Sequence, residues 1–530
     1  MKNRKSRRKC SVLMRLSVYF QQDSATAHTA AMSMRELKRI FGTRLISNNQ
    51  KDPHSIDELK DYIGEEIQAF NDVELQSVVH SLSEDVSCVW RQTGAIFSSD
   101  CEHAEMAIVG FPPAWLHNEF LEKILTTSPS DSKLVVTRSE QDRPEEAVDG
   151  TLTVLFRVVV HMERSNGPRD RSLIVKTIVQ NLEFFRKCKI FEREAYMYTY
   201  MLPAVHKVLL EFSSDLIPSF SPKCIYTELE NPAPCIIMED ITVEGFKTMN
   251  KDDAQNINIC KNVARAMAKY HVGTIGPCER APQMLEVLAE DVYNAELRAK
   301  LEPLYRGVLK CVAREVESWP VYGDKFAGGL RRLADNVMDI IANSARASVE
   351  GMQVLSCSDL LEERREKQNC YELKVLTHGD LIMSNIMLKS SNGSPDVRFL
   401  DYQFSSYASP AIDLIRFIYT LPNEEILKSP RVVLEEYFKC ANETIFLLQL
   451  PYKFFFDYIV DEIEKRSDYC VIMTATLLPI HFGDKETHKS VFELLRNIDD
   501  PLYEPNIHLT EEYKRIFKQL LDLFDEKMWL

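Results

Sequence analysis

H-G-D-L-I-M-S-N, residues His378 to Asn385, with Asp401 in V-R-F-L-D-Y-Q after a hairpin-like stretch, is what the rest of the chain is organised around. Phosphoryl transfer asks a protein for a base that accepts a hydroxyl proton and for oxygen ligands that hold magnesium on nucleotide phosphates. Asp380 fits the base, and Asn385 and Asp401 fit the metal ligands. An Asp and an Asn on one rigid loop can face one phosphate from two sides, and an Asp carried by a strand reaches it from a third. Ile386 to Leu388 and Val397 to Leu400 are apolar runs around the turn signal Asn392-Gly393, which predicts a hairpin between the two segments. Taken alone, H-x-D-x-x-x-x-N also suits a solvated loop.

Working upstream, L-T-V-L-F-R-V-V-V-H-M (Leu152–Met162) and S-L-I-V-K-T-I-V (Ser172–Val179) are β-type runs joined by the turn-rich R-S-N-G-P-R-D. They predict an antiparallel pair. Lys176 interrupts the second run, and an ammonium in so apolar a strand is costly unless it meets an anion. The next helix carries Phe184, Cys188, Phe191, Ala195 and Tyr198 on one face, and Glu194 with them. A strand lysine that touches nucleotide phosphates and is positioned by a helix glutamate is a kinase arrangement, and Lys176 with Glu194 fits it. Taken separately, Lys176 reads more readily as an edge-strand lysine and Glu194 as a solvated glutamate; the pair in this order upstream of the catalytic loop favours the kinase arrangement. A G-x-G-x-x-G is absent; Gly150 alone stands where a strand turn would cover phosphates, a role that backbone amides can fill without the full pattern.

Two further strands are expected at Pro222–Thr227 and Pro234–Asp240. The second ends in Glu239-Asp240 before Gly245-Phe246 and resembles the hinge between kinase lobes, whose backbone would hydrogen-bond adenine; Glu239 is the candidate there. A helix from about Asp253 to His271 turns Ile259, Val263, Met267 and Tyr270 inward, with His271 read as a structural histidine. Residues 281–375 read as amphipathic helices that supply part of the substrate contacts. Past Asp401, Pro410 starts a buried helix whose Asp413 ties down the backbone of the catalytic loop. Tyr513, Ile516, Leu520 and Phe524 mark a late one-faced helix in the outer wall.

The totals set the frame. With 530 residues, two or three domains are expected, and 45% hydrophobic with 27% charged residues and 17 glycines is a globular composition. A net charge of −15 disfavours nonspecific binding to DNA or anionic membranes. The 13 cysteines are scattered, without a C-x-x-C pair, and read as reduced thiols of a cytoplasmic protein. No apolar run approaches a membrane span, and the basic start Lys2 to Lys9 lacks the rest of a secretion signal.

The first hundred residues differ. F-Q-Q-D-S-A-T-A-H-T-A (Phe20–Ala30) delivers Asp23 to a loop, a helix with Met34, Leu37 and Ile40 on one side follows, and a second spans about Ser55 to Phe70. This stretch resembles the catalytic core of mariner-type transposases, and the likeness continues through Asp52-Pro53-His54 to Trp90-Arg91 and Gly94. The resemblance implies a partial RNase H-like fragment over residues 1–105. That family uses three carboxylates, of which the first lies upstream of this chain's start and the third is missing between Asn49 and Asp52. One carboxylate cannot fix two ions about 4 Å apart. The fragment is therefore read as inactive, either transposon-derived and joined to an unrelated gene or a gene-model artefact, and nucleic-acid binding is not expected of it.

Residues 113–530 resemble the ecdysteroid kinase-like family, akin to choline and aminoglycoside kinases. The likeness rests on Phe191 to Pro203, Met238 to Phe246, A-K-Y-H at Ala268 to His271, His378 to Asp380 with Asn385, D-Y-Q at Asp401 to Gln403, and Tyr407 to Leu414. It implies an α+β, two-lobed protein-kinase-like fold, with a small antiparallel-sheet lobe (113–240), a large helical lobe (241–530) and a core of about 236–432. It also implies ATP, Mg2+ and a small-molecule alcohol substrate, an ecdysteroid or related alcohol. Choline-type or aminoglycoside-type alcohols and a non-catalytic pseudokinase are the alternatives. Where the family has Trp two residues after the catalytic Asp, this chain has Ile382, which bears on substrate choice more than on phosphoryl transfer.

Overall fold

The computed structural model describes residues 113, 115–126, 134–142, 153–164, 167–178, 182–212, 219–230, 233–345, 374–391, 394–451, 454–496, 503 and 505–530. The transposase-like stretch 1–105, Gly150 and the Asn392-Gly393 turn lie outside them. Residues Trp115–Leu530 form one compact unit.

It opens with helix α1 (Asn118–Leu125), capped by the His117 side chain accepting the Phe120 N–H. Trp115 and Leu116 precede this helix, and the face it buries is Leu121, Ile124 and Leu125. Strands β1 (Val135–Asp142), β2 (Val154–Arg164) and β3 (Gly167–Thr177) follow. β2 and β3 pair antiparallel from Val154 with Thr177 to Arg164 with Gly167. Gly167 to Asp170, expected in the connector, are therefore strand residues, because the hairpin closes more tightly than the turn-rich composition suggests. β2 buries Phe156, Val158, Val160 and Met162 in strict alternation, one face of a pleated strand. Each such side chain contributes roughly 1.5–3 kcal/mol on burial.

Chain continuity then brings β3 to helix α2 (Leu182–Cys188), α3 (Ile190–Tyr196), a π-helical turn at Met197–Met201 and α4 (Leu202–Phe212). The single helix expected here is broken at Lys189, whose backbone is left-handed at φ 58°. β4 (Cys224–Glu228) and β5 (Cys235–Glu239) complete a five-stranded sheet in the order β1-β2-β3-β5-β4, antiparallel throughout. β5 lies inside the sheet, and its Cys235, Ile236, Ile237 and Met238 are all buried.

A 3-10 turn, Ile241–Glu244, leads out of the sheet, and the rest is mainly helical. A short strand β6 (Lys247–Thr248) comes first. Helix α5 (Ile257–Arg280) runs well past His271, with Val263, Met267 and Tyr270 buried as expected and Ile259 half-buried. Helices α6 (Ala295–Glu317), α7 (Tyr322–Asp335) and α8 (Val337–Ala345) follow.

After these come β7 (Val375–Thr377) and the hairpin β8 (Ile386–Lys389) with β9 (Asp396–Phe399). β6 adds to β8, and β10 (Ser406–Ala408) pairs with β7. Helices α9 (Ala411–Ile418), α10 (Arg431–Leu447), α11 (Ser467–His481) and α12 (Glu511–Glu526) complete the helical part, the last burying Tyr513, Ile516, Leu520 and Phe524. One continuous apolar core runs from Ile236 and Met238 in the sheet through α5 and α9 to Phe524 and Trp529. Among the described residues no helix is long and apolar enough to cross a membrane, and the cysteines at 188, 224, 235, 260, 278, 311, 440 and 470 are free thiols.

Candidate active site

Lys176 sits near the end of β3, opposite Leu155 on one neighbour and Ile236 on the other, with its side chain 6% exposed. Its Nζ donates to Glu194 Oε2 and to Asp401 Oδ1, both at 2.7 Å. The sheet, α3 and the segment after β9 thus meet at one ammonium. Burial alone would lower the Lys176 pKa, but Asp401 and Glu194 together raise it, so the ammonium stays charged. Burial raises the pKa of Glu194, and the charge of Lys176 works against that rise. Glu194 Oε1 is buried without a hydrogen-bond partner, so Lys176 is the charge that opposes the rise.

The loop of His378–Asn385 lies between β7 and β8. Gly379 has φ +81°, and a Cβ placed there would come within 2.1 Å of the Phe404 carbonyl oxygen, so glycine is required. Asp413, at the start of α9, accepts the His378 N–H at 2.6 Å and the Gly379 N–H at 2.8 Å, and its Oδ2 also meets His271 Nε2 at 2.9 Å. His271 Nδ1 contacts the Tyr437 hydroxyl, so this histidine is a structural element, as its sequence context suggested. His378 donates from Nε2 to the Leu400 carbonyl and accepts the Asp380 N–H at Nδ1. Burial lowers its pKa, in keeping with a neutral ring.

Asn385 Nδ2 donates to the Asp380 carbonyl at 2.8 Å and to Asp380 Oδ2 at 3.3 Å. Spending the amide nitrogen on Asp380 turns the amide oxygen away from it. The Leu400 N–H bonds the Asn385 carbonyl at 2.9 Å, which sets Asp401 beside Asn385 across the hairpin. Asp401 is itself left-handed at φ 66°, and its carboxylate is 28% exposed, with Oδ2 making only a 3.4 Å contact to Gln403. The Asp401 carboxylate and the Asn385 amide oxygen are hard donors of the kind magnesium takes alongside phosphate oxygens. Among the described residues there is no cluster of three or more His, Cys, Asp or Glu able to hold a metal alone. Asp380 is pushed above the usual carboxylate range by burial, against the pull of Arg416, and Asp401 raises it further.

The structure therefore brings together Lys176, Glu194 and Asp401, and the Leu400–Asn385 backbone bond ties the Asp401 segment to Asn385, whose amide holds Asp380. Glu239 lies at the end of β5, where its N–H donates to Lys223 and its carboxylate accepts from Arg171 at 2.8 Å. Two arginines were not singled out from sequence. Arg193 on α3 is buried and donates to the carbonyls of Leu288, Ser405 and Glu290, tying α3 to the helical part. Arg416 on α9 is buried against Asp380 at 2.5 Å. The signal for Arg416 was present, since it is a lone charge in the apolar run L-I-R-F-I, the criterion that marked Lys176. A hollow of about 670 Å3 lined by Glu315, Asp484, Lys489, His508 and Lys514 shares none of these residues.

The chain belongs to the ecdysteroid kinase-like family, which matches residues 147–450. The match leaves out residues 1–105. Among solved structures, a choline kinase from Cryptosporidium parvum Iowa II is 14% identical, covering 78% of this chain and 96% of its own, with a TM-score of 0.39. An ethanolamine kinase from Plasmodium vivax is 11% identical, covering 92% of this chain and 99% of its own, with a TM-score of 0.36. No curated protein matches.

Proposed function

We propose that the chain is an ATP-dependent kinase that phosphorylates a hydroxyl of a small molecule, an ecdysteroid or related alcohol. The observation that carries this reading is the Lys176 ammonium at 2.7 Å from both Glu194 and Asp401, beside the loop in which Asn385 holds Asp380. Lys176, fixed by Glu194, would grip nucleotide phosphates, and the segment from Glu239 into the Ile241–Glu244 turn would meet the base. Asn385 and Asp401 would hold magnesium, which supplies neutralisation of phosphate charge. Asp380 orients the acceptor hydroxyl and takes its proton as the alcohol oxygen bonds the γ-phosphorus and the bond to the ADP oxygen breaks. Gly150 falls outside this account, and residues 1–105 enter it only as an inactive transposon-derived fragment.

The test is a split between two variants. Asp380→Asn should lower kcat by orders of magnitude while magnesium-ATP still raises the melting temperature; at a hundred times Kd that binding is worth roughly 2.7 kcal/mol. Asp401→Ala should abolish the magnesium-dependent part of the shift. Unchanged turnover of labelled ATP onto a panel of steroid and small alcohols in both variants would refute the reading.

A further inference from the structure

The two carboxylate oxygens of Asp380 face different neighbours. Oδ2 meets Asn385. Oδ1 accepts from Arg416 Nη1 at 2.5 Å, and the remaining Arg416 nitrogens are also committed, Nε to the Tyr469 hydroxyl at 2.7 Å and Nη2 to the Tyr293 hydroxyl at 3.3 Å. Tyr293 stacks on Phe404, with ring centroids 5.9 Å apart. An aspartate beside a group of aromatic rings is the environment that recognises a quaternary ammonium. Here a cation is already built into it: the Arg416 guanidinium lies 6.0 Å from the Tyr469 ring centroid and 2.5 Å from the aspartate.

We infer that Arg416, fixed by Tyr293 and Tyr469, is a selectivity residue that restricts the acceptor to neutral or anionic alcohols and excludes cationic amino alcohols. The inference rests on the kinase reading and on Asp380 as its base. A hydroxyl within hydrogen-bond reach of Asp380 stands within roughly 6 Å of the guanidinium when it meets the shared oxygen. An ammonium two carbons further along the same molecule meets a fixed positive charge in a poorly screened cleft, and the carboxylate that would attract it is already matched. Lys176, the other buried cation of the site, is spent on Glu194 and Asp401 and gives such a substrate no relief. A neutral alcohol is indifferent to the arginine, and an anionic one is drawn to it.

The probe is a shape-matched pair, choline and its neutral carbon isostere 3,3-dimethylbutan-1-ol, used with the full chain and magnesium-ATP. Wild type should favour the neutral alcohol in kcat/KM by at least about tenfold. Arg416→Met should shift the ratio toward choline by a similar factor, chiefly through KM, and Arg416→Lys should keep the wild-type preference. A merely structural arginine would lower activity toward both alcohols and leave the ratio unmoved, which overturns the inference. Should Arg416→Met fail to fold, Tyr293→Phe, which removes one of the bonds that fix the guanidinium, should move the ratio the same way by a smaller factor. Wild type that uses choline as well as its isostere, or that in its nucleotide-bound form binds neither by calorimetry, also overturns it. Failure to bind magnesium-ATP at all would instead bring down the kinase reading beneath.

Discussion

Asp413 accepts the backbone N–H groups of both His378 and Gly379, at 2.6 and 2.8 Å, from a side chain with no solvent exposure. Burial would raise its pKa, but the bonds from His271 and the loop backbone outweigh that and hold it below the ordinary value. Asp413→Ala would leave two buried N–H groups and His271 without their acceptor. Each unsatisfied donor costs about 1–3 kcal/mol, so urea unfolding should show a loss of roughly 3–5 kcal/mol. Because the same bonds set the loop that carries Asp380, turnover should fall even at temperatures where the variant stays folded. A midpoint close to wild type would mean that the loop holds its shape without this carboxylate.

His378 predicts a pH effect of known sign. Its Nδ1 must stay unprotonated to accept the Asp380 N–H, and burial lowers its pKa below 6.5. The unfolded state therefore binds the proton more readily; the contribution to stability is complete above pH 6.5 and is lost as pH falls toward the folded value. Burial raises Glu194, which acts in the opposite sense over part of this window, so the histidine is isolated by subtraction. The stability advantage of wild type over His378→Gln should be largest near pH 7. It should shrink toward pH 5 by up to about 1.4 kcal/mol per pH unit. An advantage that is flat between pH 7 and 5 in urea titrations would contradict the neutral-ring assignment.

Two glycines should respond to alanine in opposite directions. At Gly379 the left-handed backbone and the Phe404 carbonyl exclude a Cβ, whereas at Gly328, within α7, a Cβ would meet nothing within 4 Å. Gly379→Ala should cost more than about 2 kcal/mol and abolish turnover. Gly328→Ala should gain about 0.5–1 kcal/mol by restricting the unfolded chain, with kinetics unchanged. Thermal melts of the two variants check both signs at once.

What could be read from the sequence was what announces itself within a few residues. Lys176 was visible because an ammonium in an apolar strand demands a partner, and the hairpin after Asn385 because two apolar runs flank a turn. β1 was hidden: among the described residues V-V-T-R-S-E-Q-D pairs on one side only, with β2, and Arg138 and Glu140 are exposed, so the strand carries too little apolar signal. The break at Lys189 and the π turn at Met197–Met201 were hidden because the buried face is carried across both; Phe185, Phe191, Ala195 and Tyr198 stay in one core. The surroundings of Arg416 were hidden for a different reason. Tyr293, in the turn before α6, and Tyr469, on α11, reach it from far away in sequence on either side of Asp380, and no local spacing records a meeting made by tertiary packing.

The Lys176–Glu194 pair separates stability from function. Both side chains are buried, at 6% and 1% exposure, and Glu194 has a second oxygen without a partner, so its carboxylate depends on the ammonium. Removing the lysine alone, in Lys176→Met, leaves a buried carboxylate that must take up a proton or stay charged without compensation, at a cost of about 3–5 kcal/mol. Removing both, in Lys176→Met with Glu194→Leu, replaces the pair by apolar groups of similar size beside Ile236 and should recover most of that loss. Asp401 is 28% exposed, so water can take over the bond it loses. Turnover should not return in the double variant, because neither side chain can then hold a phosphate. Chemical denaturation of both single variants and the double gives the coupling energy directly. A double variant no more stable than Lys176→Met would show that Asp401, rather than Glu194, is the partner that makes the buried ammonium tolerable.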